Sequence, residues 1–380
     1  MRRALRAPQG PALTQAALAP ADSGRGGFIG LRVSEVTPVA DDAVAVSFDL
    51  SPEQERRFEF QAGQHLTLRL VTAGVELRRT YSICVPPGRG RLTIGVRKLP
   101  GGAFSTFVHD QLRVGDVLEV MEPAGHFTVA LDPQARHNYV AVAAGSGVTP
   151  VISILETVLE RERHSQATLL YGNRTVGSTM FLDQLADLKD RHPGRFQLVE
   201  FFSRERQQVE FLNGRLDQAK VVQAANALLD IERVDNWLIC GPHPMLAGVR
   251  RALEQLGVPA DRVRSELFFV EDAPPERTQA VQQALARPGE AIVTARLDGR
   301  ETTFAMERSV AIVDGLLRTR GDAPFSCKGG VCATCRARLV EGEVAMDHTY
   351  ALEPREREDG FILTCQAHPL SDRVVVDYDA

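Results

Sequence analysis

Several common ingredients are scarce in this chain. Its 380 residues hold only six cysteines and one tryptophan, and aromatics make up 6%. Six cysteines are too few for a secreted scaffold held by disulfides. No run of about 18 apolar residues occurs, so the sequence offers no membrane-spanning helix. Neither sign of charge dominates. Lys and Arg number 44 and Asp and Glu 49, a net −5, which gives no broad basic surface for nucleic acid. Internal repeats and low-complexity tracts are also missing. What remains is an ordinary globular composition, with 44% hydrophobic and 24% charged residues. At roughly 150 residues per domain the length suggests two or three domains.

The pattern along the chain changes twice. Residues 1–27 are rich in Ala, Gly, Pro and Arg and have no period. The stretch Ala12–Pro20 is too short and polar for a secretory core, so this segment reads as a disordered tail. Residues 28–132 alternate apolar and polar positions in short runs: Leu31–Thr37, Val44–Asp49, His65–Val71, Arg91–Lys98 and Val117–Met121. That spacing predicts an antiparallel barrel or sandwich, with one short helix from Ala103 to about Gln111. Over 133–270 the apolar runs Tyr139–Ala144, Ala167–Tyr171, Phe196–Phe202 and Asn236–Cys240 alternate with helical stretches. This is the signature of a doubly wound parallel α/β sheet. Residues 271–290 read as a linker, and 291–380 as a compact third domain. The third domain opens with a hairpin at Asp298-Gly299.

The few cysteines are unevenly placed. Cys84 and Cys240 stand alone, whereas Cys327, Cys332, Cys335 and Cys365 crowd the C-terminal part. The spacing C-x4-C-x2-C with one distant cysteine is the plant-type [2Fe–2S] pattern. A loop that supplies three thiolates must run close to the cluster, which calls for the small residues found at Gly329-Gly330 and Ala333-Thr334. Structural zinc favours two separated cysteine pairs or Cys/His mixtures, and fits less well.

Two further segments suggest cofactor binding. The run Tyr139–Ala144 enters Gly145-Ser146-Gly147-Val148-Thr149-Pro150, and a helical pattern follows. A glycine turn between strand and helix lets backbone N–H groups approach a pyrophosphate. Ser203-Arg204 end the next strand but one, where a hydroxyl and a guanidinium could hold a ribose 2′-phosphate and favour NADP. Cys240-Gly241-Pro242 ends another strand at the same sheet edge. Upstream, Arg79-Thr80-Tyr81-Ser82 offers a cation for a phosphate and a phenol ring for an aromatic cofactor. Gly102-Ala103-Phe104-Ser105 adds a second turn-to-helix start.

Taken in order, these motifs resemble the ferredoxin–NADP reductase superfamily followed by a plant-type ferredoxin. Within it the chain is similar to the reductase subunits of bacterial phenylacetyl-CoA epoxidase complexes. The resemblance implies three domains: an antiparallel β-barrel for FAD, a doubly wound α/β sheet for NADP, and an α+β β-grasp ferredoxin domain. It implies FAD contacts from Arg79, Thr80, Tyr81, Ser82, Gly102 and Ser105. NADPH contacts would come from Gly145, Gly147, Thr149, Arg174, Ser203, Arg204, Cys240 and Gly241. Cys327, Cys332, Cys335 and Cys365 would hold the cluster, and residues from Glu266 to Phe269 would shield the flavin. Electrons would run from NADPH through FAD and the cluster to the diiron oxygenase subunits of an epoxidase, in a reducing cytoplasm. No general acid or nucleophile is needed. Another diiron hydroxylase or a ring-hydroxylating dioxygenase is the alternative acceptor, and a zinc-stapled binding module the alternative of a different class.

Overall fold

The structure, a computed structural model, describes residues 27–72, 75–269, 279–352 and 354–380. The expected N-terminal tail, apart from Gly27, and residues 271–278 of the expected linker lie outside this range.

The first unit comprises β1 (Ile29–Ala40), β2 (Ala43–Asp49), α1 (Pro52–Arg57), β3 (His65–Thr72), β4 (Val75–Ser82), β5 (Leu92–Arg97), α2 (Ala103–Asp110) and β6 (Val117–Val120). Its sheet order is β4-β3-β6-β1-β2-β5, all antiparallel. Register shifts in β1 at Val33/Glu35 and Pro38/Ala40 bend the strand, as bulges do. A bridge from Ile83 to Ile94 then joins the two edges and makes the sheet barrel-like. Leu31, Val46, Leu66, Leu68 and Ile94 fill its interior, with Phe104 and Val108 of α2 capping it.

The second unit alternates β7 (Asn138–Ala144), α3 (Val148–Arg161), β8 (Gln166–Asn173), α4 (Leu182–Arg191), β9 (Phe196–Phe202), α5 (Gln218–Leu228), β10 (Asn236–Pro242), α6 (His243–Gln255) and β11 (Val263–Phe269). All five strands are parallel, in the order β11-β10-β7-β8-β9. The chain reverses its direction of travel between β7 and β10. In open α/β sheets that reversal opens a crevice at the strand C-termini. Helix α3 is buried on every side from Val148 to Leu159. The reason is that it lies between the parallel sheet and the barrel, and shares one core with Ala43, Ala45, Ala62 and Phe127 of the barrel.

The third unit follows α7 (Gln279–Leu285) and contains β12 (Glu290–Leu297), β13 (Arg300–Glu307), α8 (Ile312–Leu317), β14 (Arg336–Glu341), β15 (Val344–Met346), α9 (Pro354–Glu358), β16 (Phe361–Leu363), β17 (Ala367–Pro369) and β18 (Arg373–Asp377). The main sheet runs β13-β12-β18-β14-β16, with β12 and β18 parallel. The hairpin turn takes positive φ at both Asp298 (54°) and Gly299 (69°), the geometry a two-residue turn requires. The Asp379 carboxylate accepts both turn N–H groups at 2.9 Å.

Candidate cofactor and electron-transfer site

At the reversal point of the parallel sheet, β7 leads into a turn of 3-10 helix at Gly145–Gly147 and then into α3. The turn abuts the end of β10. A Cβ on Gly147 would lie 2.2 Å from the Cys240 carbonyl oxygen and 2.9 Å from the Gly241 nitrogen. Only glycine lets these two loops touch, so the structure brings Gly145, Gly147, Cys240 and Gly241 to one crevice. Tyr171 donates its hydroxyl to the Gly145 carbonyl at 2.9 Å and fixes the turn. Thr149 is fully buried, and its hydroxyl is taken up by the Ser146 carbonyl at 2.9 Å, so it shapes the turn rather than facing the crevice. At the far end of the edge, the Ser203 and Arg204 N–H groups donate to the carbonyls of Asn173 and Arg174 at 3.0 and 2.8 Å, which unites these two loops. Ser203 and Arg204 are exposed, while the Arg174 guanidinium is paired with Asp42 of the barrel.

The flavin-type motif occupies the end of β4. Alternation along the strand divides it. Tyr81 turns toward Phe104, with ring centroids 5.7 Å apart, and Arg79 is exposed. Thr80 points the other way, its hydroxyl 2.6 Å from that of Ser326 in the third unit. Ser82 is buried opposite His65 in the β3–β4 register. The Ser105 hydroxyl closes the turn before α2, donating to the Gly102 carbonyl (3.2 Å) and accepting from the Leu99 N–H (3.1 Å).

Sequence reading missed His65 and its link to Glu266. Glu266 on β11 stands beside Cys240 in register, and its carboxylate lies 3.7 Å from His65 Nδ1 across the joint between the first two units. His65 Nε2 and Glu266 Oε2 are both buried with no protein partner. Unsatisfied buried polar atoms are costly, so this junction suits a ligand that brings its own hydrogen-bonding edge. An isoalloxazine between Ser82, His65, Glu266 and Cys240 fits that demand. Of the other residues expected near the flavin, Leu267 and Phe268 pack into the α/β cores. Burial first, and Glu266 second, push the Cys240 thiol well up, so it is neutral there.

The four C-terminal thiols come together in the third unit. Cys332, Cys335 and Cys365 are buried and Cys327 is half-buried. Cys327 interacts most strongly with Cys332, and Cys335 with Cys365; the hydrogen bond from Cys332 holds the Cys327 thiol down at about 7. Among the described residues no three His, Cys, Asp or Glu groups converge closely enough to share a single ion. Four gathered thiols in the C-x4-C-x2-C spacing with one distant partner suit a [2Fe–2S] cluster. The loop is shaped for this. Lys328 (φ 51°) and Ala333 (φ 54°) adopt left-handed backbone, a strain that non-glycine residues carry mainly at functional sites. The Gly329 N–H donates to Cys327 Sγ at 3.3 Å and Gln366 Nε2 to Cys365 Sγ at 3.4 Å, contacts of the kind that tune a cluster. Tyr378 holds Thr364, and Thr364 holds the Cys335 carbonyl, each at 2.9 Å.

Known proteins share this arrangement. The chain matches an oxidoreductase FAD-binding domain over residues 30–129, an oxidoreductase NAD-binding domain over 141–251 and a 2Fe-2S iron-sulfur cluster binding domain over 295–370. It is 41% identical to one of the subunits of 1,2-phenylacetyl-CoA epoxidase of Escherichia coli, over 93% of this chain and 98% of that one. It is 34% identical to the ferredoxin reductase component of 3-ketosteroid-9-alpha-monooxygenase of Mycobacterium tuberculosis, over 92% and 95% of the two chains. Among solved structures, phthalate dioxygenase reductase superposes with a TM-score of 0.56 at 24% identity, covering 92% of this chain and 98% of that chain. Among the described residues no helix is long and apolar enough to cross a membrane.

Proposed function

The chain belongs to the ferredoxin-reductase superfamily, in the group of oxygenase reductases that end in a [2Fe–2S] domain, and we propose that it carries electrons from NADPH to a diiron oxygenase that epoxidises the ring of phenylacetyl-CoA. Its reaction class is that of the family: electrons pass from NAD(P)H through FAD and the cluster to an oxygenase component. The observation that carries the choice of acceptor is the 41% identity, over nearly the whole of both chains, to a component of a phenylacetyl-CoA epoxidase.

When bound, FAD accepts a hydride and releases electrons singly, the exchange that a nicotinamide donor and a one-electron iron centre require. This chain's residues hold and orient. Arg79, exposed on β4, suits a diphosphate, and Tyr81 would offer its ring to the isoalloxazine. Gly147, by its contact with Cys240, keeps open the crevice in which a nicotinamide would lie against the flavin. Gly145 frames the turn, Ser203 and Arg204 would receive a ribose 2′-phosphate, and Arg174 braces their loop against Asp42. Four thiolate ligands favour a reducing compartment, which supports a cytoplasmic location.

Reconstitution tests the acceptor. The purified protein should support NADPH-dependent epoxidation of phenylacetyl-CoA by the cognate diiron subunits. Efficient service of a ring-hydroxylating or steroid oxygenase, with no epoxidation, would overturn the proposal.

A further inference from the structure

The redox path assigns no role to the residue before the flavin-type arginine, yet Arg78 is a buried cation at the contact between the barrel and the third unit. Its relative exposure is 5%. Its guanidinium lies 4.9 Å from the Phe28 ring of the barrel and 3.9 Å from the Phe325 ring of the third unit. It also donates to the Ala323 carbonyl at 3.4 Å and pairs with Glu76 at 2.6 Å. The stacking continues at both ends. Arg69, held by Glu119 through two hydrogen bonds of 2.6 and 2.8 Å, covers Phe28 at 4.3 Å. Lys328, inside the cysteine loop, covers Phe325 at 4.6 Å. The result is a ladder, Arg69–Phe28–Arg78–Phe325–Lys328, from the barrel wall to the residue after Cys327.

A buried charge is unfavourable unless its partners compensate, and two of Arg78's four partners, Phe325 and Ala323, belong to another domain. Were the third unit to swing away, Arg78 would lose Phe325 and Ala323 together. Strand alternation makes this face distinct. Arg78 and Thr80 point to the third unit, whereas Tyr81 lies on the other face of the strand, near Phe104 of α2. We propose that Arg78 is a positioning residue, a latch that docks the [2Fe–2S] domain on the flavin-binding strand in the state that passes electrons between them. The inference rests on the redox reading above. The step it serves moves one electron from the reduced flavin to the cluster, which goes from two ferric irons to one ferric and one ferrous. The second electron follows after an external acceptor has emptied the cluster, and the flavin's protons leave to solvent.

Anaerobic stopped-flow mixing of the holoprotein with NADPH reads flavin bleaching and cluster bleaching separately. Arg78→Ala should slow cluster reduction at least about tenfold and leave flavin reduction within about twofold, with both reduction potentials unmoved. Hydrogen exchange over residues 323–326 should rise in the same variant without nucleotide. Arg78→Lys keeps the charge but loses the flat stacking plane, and should fall between. Wild-type cluster reduction in Arg78→Ala overturns the latch. Equal slowing of both steps, or shifted potentials, also overturns it, because Arg78 would then act on the flavin site. If Arg78→Ala fails to load flavin, Phe325→Leu decides. The same split supports the latch, and wild-type kinetics removes it. A wild-type protein without reducible flavin or cluster would instead refute the redox reading itself.

Discussion

Arg174 and Arg204 leave neighbouring loops, and their surroundings give them different work. The Arg174 guanidinium is engaged by Asp42 of the barrel, a carboxylate it shares with Arg97. Arg204 is exposed at the same sheet edge, with the Ser203 hydroxyl beside it, and can meet an incoming phosphate without breaking a pair. A charge-assisted contact of this kind is worth about 1.5–3 kcal/mol when well formed, and solvent reduces it at an exposed site. Arg204→Ala should therefore raise the Kd for NADPH about tenfold and leave that for NADH nearly unchanged, as measured by titration of the flavin spectrum. Equal weakening of both would remove the case for NADP preference. Arg204 could be found in the sequence because it ends an apolar run in a parallel-sheet pattern. His65 could not, because nothing local marks it, and Glu266 was reached only through the family resemblance; their long separation in sequence closes only when β3 and β11 meet across the domain joint. Cys84 is legible as a packing residue. Burial pushes its thiol up to about 12, and it donates to the Thr93 carbonyl at 3.4 Å.

Elements that carry a strong period were read nearly to their ends. β9 occupies Phe196–Phe202, as its apolar run predicts, and α2 begins at Ala103. Short or doubly covered elements were harder. α1 buries no residue, so it has no apolar stripe; its visible mark was the capping box of Ser51 and Gln54. β4 mixes Glu76, Arg78 and Arg79 into a strand, because one face meets a second domain rather than solvent or core. The turn between β7 and α3 is the element that most directly builds the crevice. Gly147 has φ −61° and ψ −8°, values any residue adopts, so its requirement is space and not conformation. In Gly147→Ala the methyl meets backbone at Cys240, which no side-chain rotation can relieve. Overpacking of this kind costs about 1–3 kcal/mol, so thermal unfolding should shift down by several degrees. Hydride transfer should fall more than about tenfold, because relief of the clash must part the two loops that would seat the nicotinamide. A stable variant with normal flavin reduction would show that the contact is incidental.

The whole molecule must serve a two-electron donor and a one-electron acceptor with one cluster. Its cysteine loop is enclosed on two sides by the chain itself. On the barrel side lie Arg78 and Thr80; on the α/β side Tyr350 lies between His243 at the start of α6, at 5.4 Å, and His348, at 4.8 Å. Val331 and Tyr350 also pack against the α/β core, so the cluster domain rests on both partners at once. Such a seat favours electron entry and hinders exit, since an oxygenase needs its own close approach to the same loop. Among residues 327–335 Lys328 is the exposed one, and that lysine is tied to Asp314 at 2.6 Å. The expectation is that the domain leaves its seat to deliver each electron. Thiols introduced by His243→Cys and Tyr350→Cys, joined with a short cleavable bis-maleimide, would hold the α/β side shut without touching a residue assigned to a cofactor. NADPH should still reduce the cluster at close to the uncrosslinked rate, while oxygenase-coupled turnover falls at least about tenfold and recovers on cleavage of the linker. Turnover that survives the cross-link would mean that electrons leave through the Lys328 side of the closed form. The seat would then be the working arrangement throughout the cycle.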